Sequence, residues 1–529
     1  MDYTPTMDAN QVNERFDFRD VFVFDLANNH QGDVAHALRI IREIGEVARK
    51  HQVRGIFKFQ FRQLDSFIHP AHQKSSDNKH IPRFLATRLD RSQFEILLSV
   101  ARVEGMQAMC TPFDEESVDV ITDMGFDIIK VASCSARDWP LLEKVATAGL
   151  PVIVSTGGLT LEQVDDLVSF LDHRACDFAL MHCVSIYPTP DAACNLGNIA
   201  NFRERYLGRT IGWSTHENPA DTVPVQLAVA LGAGIFERHV GIATDTIKLN
   251  AYSSTPEQTD AWIGAWRKAK TLLGQWQRQL PLPEERRAID DLMRGVFSRV
   301  AIKSGELLRR EDVCFAFPYT PGQLSSGEFK DGIVVRSSID LGQPIPVAAL
   351  DVPSAPDELV IKRAIHEVKA LLNQARVALS SDFRVEYSHH YGVVNFRSTG
   401  AVLINVINRE YSKKILVQLP GQSHPLHFHK RKEETFLVLW GELHAEVAGR
   451  RKLLQPGDTL LVLPGVWHRF WTETGCVFEE ISTTHFANDS VYRDPAINEL
   501  RPEQRKTVVD HWGRFQLSDR ITPVSNLAQ

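Results

Sequence analysis

The sequence has no long apolar run, no block of basic residues and no regular cysteine spacing. Lys and Arg number 59 against 66 Asp and Glu, a net charge of −7, so the charge pattern does not indicate a nucleic-acid partner. No apolar stretch is long enough to span a bilayer, and residues 1–20 hold no apolar signal core, which predicts a cytoplasmic protein with no membrane partner. The seven cysteines are scattered, odd in number and never spaced as CxxC, which favours reduced thiols.

Length and composition indicate a soluble protein of several domains. A chain of 529 residues is too long for one hydrophobic core, and two to four domains are expected. Hydrophobic residues make up 43% and charged residues 24% of the chain, which is ordinary for globular proteins.

Short apolar runs alternate with amphipathic segments in the first half of the chain. We predict strands at roughly 21–27, 55–61, 106–112, 127–132, 151–155, 178–184, 209–214 and 233–239. Eight strand–helix units in about 250 residues favour a (β/α)8 (TIM) barrel. The alternative is an open doubly wound sheet, but no GxGxxG follows the first strand.

Two histidines follow the last two of these strands. His216 and His239 would point at one space if the strands were neighbours in a parallel barrel, and that end of such barrels is where their chemistry takes place. Neutral imidazoles there suit a divalent metal. The alternative is a pair of structural histidines without a ligand.

Polar side chains occupy the other predicted strand ends. They are Asp25 and Asn29 after the first strand, Lys58 and Gln60 on the second, Thr111 on the third, Lys130 and Ser133 at the fourth, Ser155 at the fifth, Ser185 and Tyr187 after the sixth, and Ser214 on the seventh. Ammonium groups, hydroxyls and glycine-rich turns that converge in this way form a good anion site. A single lysine here would more often be an ordinary partner of a carboxylate. Two inward-facing lysines favour a function, because an unpaired buried ammonium is costly.

A series of short motifs occurs in a family-specific order. They are NHQG at 29–32, KFQ at 58–60, TPF at 111–113, KVAS at 130–133, STG at 155–157, HC at 182–183, IYPTP at 186–190, GWSTH at 212–216 and ERH at 237–239. Over roughly residues 20–350 the chain resembles the sialic acid (N-acetylneuraminate) synthase family. That family consists of transferases that condense phosphoenolpyruvate with an aldose, releasing phosphate and a 2-keto-3-deoxy sugar acid.

The resemblance implies a role for each matching residue. Phosphoenolpyruvate would be held by Lys58, Gln60, Thr111, Lys130, Ser133, Ser155, Ser185 and Ser214. The sugar would contact Asn29, Tyr187 and Asn250. His216 and His239 would bind Mn or Mg and polarise the aldehyde, and Asp25 would position or deprotonate the attacking water.

The chain departs from the family pattern at three places. Asp25 stands where the family usually has Glu, Ser185 stands where many members have Asn, and residues 245–250 (DTIKLN) lack the usual Pro-Gly-Pro-Asp run. We interpret the phosphoenolpyruvate side as retained and the sugar side as altered, so the acceptor is not expected to be N-acetylmannosamine. A non-catalytic sugar-binding or regulatory protein is the competing hypothesis.

The predicted barrel domain covers 1–290, and a smaller domain covers 291–353. This Gly- and Pro-rich segment resembles the antifreeze-like (SAF) domain that covers a partner subunit's barrel mouth in the family, which implies a homodimer or higher homo-oligomer. The family offers an Arg to the sugar there, whereas 317–322 (FPYTPG) has none. The alternative is a domain that serves packing alone. A linker helix is predicted within 354–380.

The last predicted domain, 381–529, carries a second set of metal-ligating residues. His427 and His429 share one face of a strand, Glu434 follows a turn, and His468 follows a Pro-Gly corner. This set suits Mn, Fe, Ni, Zn or Co, and the pattern over roughly 400–485 resembles the cupin β-barrel family. The alternative is a barrel that keeps the motif without metal.

Within cupins, three stretches around this set resemble D-lyxose isomerases. They are 413–414 (KK), 430–434 (KRKEE) and 478–482 (FEEIS). The resemblance implies a metal-dependent aldose–ketose isomerase in which Lys414 and Glu480 assist proton transfer. An epimerase and a sugar-binding sensor are the alternatives. Joined to the barrel, such a domain predicts a bifunctional enzyme of carbohydrate biosynthesis.

Overall fold

The computed structural model describes residues 15–275, 278–379, 383–486 and 488–509. Most of the polar N-terminal stretch and the end of the predicted cupin domain lie outside the described residues. The chain forms two compact units, Met1–Leu280 and Pro281–Gln529, so the first ends ten residues before the predicted limit of the barrel domain. Among the described helices, none combines the length and apolar character that crossing a membrane requires.

The first unit is a closed barrel of eight parallel strands in chain order. The strands are β1 Val21–Asp25, β2 Arg54–Phe61, β3 Gln107–Pro112, β4 Ile128–Val131, β5 Val152–Ser155, β6 Phe178–Cys183, β7 Ile211–Thr215 and β8 Ile235–His239. All eight overlap the predicted strands, and the predicted (β/α)8 barrel is confirmed.

Helices follow the strands along the chain. They are α1 Val34–His51, α2 Leu64–Phe67, α3 His80–Ala86, α4 Arg91–Val103, α5 Glu115–Asp123, α6 Trp139–Thr147, α7 Leu161–His173, α8 Gly197–Arg205, α9 Val223–Ala230 and α10 Pro256–Leu273. Side-chain caps stabilise the starts of several of them: the Asp33 carboxylate accepts from the Ala35 and His36 amides at α1, and Thr160 forms a capping box with Gln163 at α7. Helices α2 and α3 belong to a long excursion between β2 and α4.

Alternation along the strands separates two apolar layers. On β1, Phe22 and Phe24 face outward, and the Phe22 ring lies 5.4 Å from the ring of Trp262 on α10. The alternate residues form a separate core inside the barrel: Val21, Val23, Ile56, Met109, Ile128, Ile153, Ala179, Met181 and Ile235. Because side chains alternate with a period of two, Asp25 lies on the same face as Val23, one layer nearer the carboxyl end.

The second unit begins with a segment of short elements. These are α11 Pro283–Asp290, β9 Gly295–Ser298, β10 Val313–Ala316, β11 Val334–Val335, β12 Leu350–Asp351 and α12 Asp357–Gln374. The four strands form two antiparallel pairs around a small core that includes Val296, Ile333 and Ile345. The assignment of 291–353 to an antifreeze-like domain and the predicted domain limits stay predictions.

Two antiparallel sheets make up the remainder of the second unit. The seven-stranded sheet has the order β20 Thr459–Val462, β17 Glu434–Gly441, β22 Cys476–Thr483, β15 Tyr411–Gln418, β14 Ala401–Asn408, β13 Arg384–Ser388 and β24 Lys506–Val509. The five-stranded sheet has the order β19 Arg450–Leu454, β18 Leu443–Val447, β21 His468–Trp471, β16 His427–His429 and β23 Ser490–Tyr492. Short helices α13 Pro495–Glu499 and α14 Pro502–Arg505 follow β23.

The helix predicted within 354–380 is present as α12. Its apolar face, with Ile361, Ile365 and Val368, packs against Val385 and Val402 of the seven-stranded sheet. Burying this face stabilises the helix more than its intrinsic propensity does. The sheets agree with the cupin fold expected for this part of the chain.

Candidate active site and metal centre

A cavity of about 690 Å³ opens at the carboxyl ends of the barrel strands. Its wall includes twelve of the residues expected there, together with Glu237, to which the sequence assigned no role. The twelve are Asp25, Lys58, Gln60, Thr111, Lys130, Ser133, Ser155, Ser185, Tyr187, Ser214, His216 and His239. They converge because the inward positions turn from apolar to polar near the strand ends. The volume is within the range of small-molecule sites.

Lys58 lies between two carboxylates. Its Nζ is 2.9 Å from Asp25 Oδ2 and 2.7 Å from Glu237 Oε1, and all three side chains are almost completely buried. Burial by itself opposes the charged form, but Asp25 and Glu237 outweigh it and raise the pKa of Lys58 above its usual range. The Ala27 amide donates to Asp25 Oδ1 at 2.9 Å, so the shorter carboxylate is firmly held.

Lys130 is the second buried ammonium. It donates to Ser155 Oγ at 2.5 Å and lies 3.8 Å from Glu237 Oε2. Burial lowers its pKa, and Glu237 opposes the shift only in part. Burial also disfavours the Glu237 carboxylate, but Lys130 and Lys58 hold its pKa at about 2. Glu237 therefore serves both lysines, and Ser214 Oγ donates to it at 3.3 Å.

A glycine makes room for the hydroxyl groups beside Lys130. A Cβ at Gly157 would lie 2.4 Å from Ser185 Oγ, 2.8 Å from Ser133 Oγ and 3.2 Å from Cys183 Sγ. The Gly157 amide donates to Ser133 Oγ at 3.0 Å. A backbone amide, hydroxyls and a lysine that meet in this way can bind a phosphate or carboxylate.

The two barrel histidines lie side by side. Their ring centres are 5.3 Å apart, and His216 Nδ1 faces Val184 O at 3.0 Å, which leaves Nε2 free. Burial lowers the pKa of His216 to about 3 and also lowers that of His239, so both rings are neutral at physiological pH and able to bind a metal. His239 Nε2 is 3.4 Å from Asp25 Oδ2, while its buried Nδ1 has no partner among the described residues. This donor set fits a divalent metal whose remaining ligands come from solvent and substrate.

Two residues expected to contact the sugar do not line the cavity. Asn29 Nδ2 donates to Val240 O at 2.8 Å and to Ser253 Oγ at 3.0 Å, and its Oδ1 accepts from Asn250 Nδ2 at 3.1 Å. These amides bond to each other and to the protein, and the sugar contacts of Asn29 and Asn250 stay predictions. Tyr187 does reach the site, with its ring centre 4.2 Å from that of His216.

Another polar residue of the barrel motifs faces away from the cavity. His182 lies on β6 at an outward position, where its ring stacks on Trp213 with centres 5.2 Å apart. Its Nε2 lies 2.9 Å from Cys194 O, so it is a satisfied structural histidine.

Sequence reasoning assigned no role to several residues of the cavity wall. Glu237 could have been found by alternation, because it lies two positions before His239 on β8 and therefore shares its face. Arg62, Lys79 and Arg83 also line the cavity, but they belong to the excursion after β2, where no periodic signal predicts orientation.

The second unit assembles the four predicted cupin ligands. His427, His429, Glu434 and His468 are buried, and one ligand atom from each lies within 4.8 Å of all the others. Residue pairing explains the assembly, since His427 on β16 is directly opposite His468 on β21.

Contacts between the other ring nitrogens and backbone carbonyls orient these imidazoles toward one point. His427 Nδ1 lies 3.0 Å from Pro425 O, and His468 Nδ1 lies 3.0 Å from Val466 O. His468 Nε2 then faces Glu434 Oε1 at 2.8 Å. Two acceptors at this distance need a cation or proton between them, so the arrangement fits a bound metal. Burial lowers the pKa of His427 well below its usual value, which keeps it neutral for metal binding.

A chain of buried charges adjoins the four ligands. Lys432 Nζ lies 2.6 Å from Glu434 Oε2 and 2.8 Å from Glu480 Oε1, and Lys414 Nζ lies 3.4 Å from the same Glu480 oxygen. Burial disfavours the charged Glu480, but Lys414 and Lys432 hold its pKa at about 2. The structure therefore places Lys414 and Glu480 close to each other, as their predicted shared role requires. Lys432 also belongs to this group of charges, although sequence reasoning assigned it no role. Lys432 lies two positions before Glu434, a spacing that could have indicated it.

Space beside the cupin ligands is small. The cavity there measures about 40 Å³, which is room for a metal and about three waters at most. An open cleft of about 680 Å³ lies on the other side of His424 and is lined by Arg451, Arg469 and Trp471.

The barrel and the cupin each contain a cluster of buried charges beside histidines. Comparisons with known proteins also match these two parts of the chain to different families. The NeuB family matches residues 46–278, and the cupin domain matches residues 415–479. An uncharacterized protein of Methanocaldococcus jannaschii is 31% identical over 292 residues, which are 55% of this chain and 82% of that protein. The N-acetylneuraminate-9-phosphate synthase of Mus musculus is 27% identical over 293 residues, 54% of this chain and 80% of the relative.

A solved structure matches a larger part of this chain than these two relatives do. A crystal structure from Chromobacterium violaceum, described as spore coat polysaccharide biosynthesis protein E, is 42% identical with a TM-score of 0.61 and covers 63% of this chain and 100% of its own. This chain belongs to the NeuB family and carries a cupin domain in its C-terminal part.

Proposed function

We propose that the barrel condenses phosphoenolpyruvate with an aldose or aldose phosphate to form a 2-keto-3-deoxy sugar acid and phosphate. The observation that carries this proposal is the pair of buried lysines, Lys58 and Lys130, beside the hydroxyl-lined space at Gly157 and two neutral histidines. Relatives named as synthases of N-acetylneuraminate 9-phosphate, N,N'-diacetyllegionaminic acid and pseudaminic acid support it.

The reaction requires one carbon–carbon bond and one water. C3 of phosphoenolpyruvate attacks the aldehyde carbon, whose oxygen takes up a proton, while water adds at C2 and the bond from C2 to the phosphate oxygen breaks. Lys130 and the hydroxyls beside Gly157 hold the anionic substrate, and Asp25 receives the proton of the water. A divalent metal held by His216 and His239 supplies Lewis-acid polarisation when bound.

The cupin is proposed to be an aldose–ketose isomerase that supplies the acceptor. Its buried Lys414, Lys432 and Glu480 lie beside the four ligands and could move a proton between neighbouring sugar carbons. Condensation would consume the aldose and draw an unfavourable isomerisation forward. A metal-binding sensor is a second candidate, and the small volume beside the ligands favours it because a sugar would require the cavity to widen.

Phosphate release tests the synthase proposal. The full chain should release phosphate from phosphoenolpyruvate with Mn²⁺ and at least one aldose or aldose phosphate of four to seven carbons. No release with any member of the panel would favour the non-catalytic alternative.

Matched ketose and aldose substrates test the coupling. The parent chain should use both, His427→Ala/His429→Ala should use only the aldose, and Lys58→Ala should isomerise without condensing. Equal use of the ketose by the parent chain and the cupin variant would leave the cupin as a sensor or structural module.

A further inference from the structure

Three cations at the barrel mouth form no ion pair with the described residues. Arg62 follows β2, Lys79 directly precedes α3 and Arg83 lies on it, and all three line the cavity that contains Lys58. Throughout the described ranges, no carboxylate lies at ion-pair distance from any of them. Lys58 differs, since carboxylates neutralise it. The three residues are called the rim cluster below.

Arg62 is held by aromatic rings. Its guanidinium carbon lies 3.5 Å from the ring centre of Phe113 and 4.2 Å from that of Phe84 on α3. Nη2 donates to Gln60 Oε1 at 3.2 Å, whereas the buried Nε has no hydrogen-bond partner among the described residues. A guanidinium fixed between rings, with donors left over, is prepared to bind an anion.

Lys79 and Arg83 lie apart from the residues expected to hold phosphoenolpyruvate, whereas Arg62 contacts one of them, Gln60. Lys130, Ser155 and Gly157 are at or just beyond the ends of β4 and β5, on the cavity floor, whereas Lys79 and Arg83 are exposed at its opening. His216 and His239, beside which the aldehyde would be polarised, line the same cavity as Arg83. A sugar whose aldehyde reaches the histidines would therefore extend its other end toward the rim cluster.

We infer that the rim cluster binds an anionic group on the acceptor sugar, at the end remote from its aldehyde. This inference rests on the proposed synthase function and narrows its substrate to a phosphorylated aldose or a sugar acid. Arginine and lysine recognise both phosphate and carboxylate, so the shared chemistry is a terminal anion. The net positive mouth would also attract such a substrate.

Binding to the full chain tests the inference without turnover. Calorimetry with D-mannose 6-phosphate, D-mannuronate and D-mannose, without phosphoenolpyruvate, compares hexoses that differ at C6. At least one charged hexose should bind about tenfold or more tightly than mannose, as expected for charge-assisted hydrogen bonds. Lys79→Gln/Arg83→Gln should abolish this preference, while phosphoenolpyruvate affinity measured separately stays the same.

Arg88→Gln is the matched control, because Arg88 lies close to α3 but pairs with Asp65 outside the cavity wall. It should keep the preference. Equal affinity for the three hexoses, including no measurable binding of any, overturns the inference, as does a preference that survives in the double variant. A parallel loss of phosphoenolpyruvate affinity would instead assign the cluster to that substrate. Failure of phosphate release alone would concern only the proposed synthase function.

Discussion

At the scale of single residues, both candidate sites are built from buried lysines paired with carboxylates. Glu237 serves Lys58 and Lys130 in the barrel, and Lys432 bridges Glu434 and Glu480 in the cupin. Removing one member of such a set leaves an uncompensated buried charge, which destabilises far more than the loss of a surface pair.

The barrel histidines give the first prediction. His216→Ala or His239→Ala should abolish condensation while leaving the fold intact, because Lewis-acid polarisation contributes several kcal/mol in such sites. Phosphate release and circular dichroism are the measurements. Normal turnover of both variants in the presence of a chelator would show that these residues do not act through a metal.

A buried and a partly exposed lysine of the cupin give a matched comparison. Lys432→Met should lower the free energy of unfolding by about 3–5 kcal/mol, because two buried carboxylates lose their shared cation. Lys413→Met removes a partly exposed pair with Glu479 and should cost about 1 kcal/mol or less. Urea unfolding measures both, and similar losses would contradict the proposed charge chain.

Thiol accessibility gives a pH-dependent prediction. Cys134 is exposed on the barrel cavity wall, whereas burial raises the pKa of Cys183 and raises that of Cys194 to about 11. At a pH below its pKa a thiol is mostly protonated and therefore reacts slowly. At about pH 8, iodoacetamide should modify the exposed Cys134 and spare Cys183 and Cys194. Peptide mass mapping checks this. Cys134→Ser is the control, phosphoenolpyruvate should slow the labelling, and equal labelling of Cys183 would refute the expectation.

At the scale of elements, strand alternation and a tight turn after β5 build the barrel site. Inward positions of β1 to β5, β7 and β8 carry its polar side chains, while outward positions pack on the helices. The turn holds Gly157 against two serine hydroxyls.

Gly157→Ala should therefore weaken phosphoenolpyruvate binding by about tenfold or more without unfolding the barrel. The added Cβ would displace Ser185 Oγ and Ser133 Oγ from the anion-binding space, which removes charge-assisted hydrogen bonds. Gly197→Ala is the control, since a Cβ there meets no atom within 4 Å. Calorimetry measures the affinity, and an unchanged value in Gly157→Ala would place the anion elsewhere.

At the scale of the whole molecule, each unit has hydrophobic cores of its own. Ligands that bind one unit should therefore shift one unfolding transition. Phosphoenolpyruvate at about 100 times its Kd should stabilise the barrel by about 2.7 kcal/mol. A chelator should lower mainly the transition of the second unit, whose four ligands are already assembled.

Differential scanning calorimetry of the full chain checks both shifts. His427→Ala/His429→Ala should reproduce the effect of the chelator and then be largely insensitive to it. If phosphoenolpyruvate and the chelator moved the same transition, the assignment of the two sites to separate units would be wrong.

Local patterns in the sequence determined most of the fold. Apolar runs of strand length, separated by amphipathic helices, were sufficient to predict the eight barrel strands, and spacing was sufficient to predict the four cupin ligands. Such features depend on side-chain periodicity within a few residues, which one sequence displays directly. The antifreeze-like assignment depends on resemblance alone and stays a prediction.

Only the tertiary structure decided which polar groups meet. Asn29 and Asn250 are 221 positions apart, and their mutual hydrogen bond removes both from the cavity. Glu237 became the shared partner of two lysines through the registers of neighbouring strands, and Arg62 was placed between rings from α3 and the turn after β3. These contacts depend on distances of a few tenths of an ångström between remote segments, and no local pattern encodes such distances.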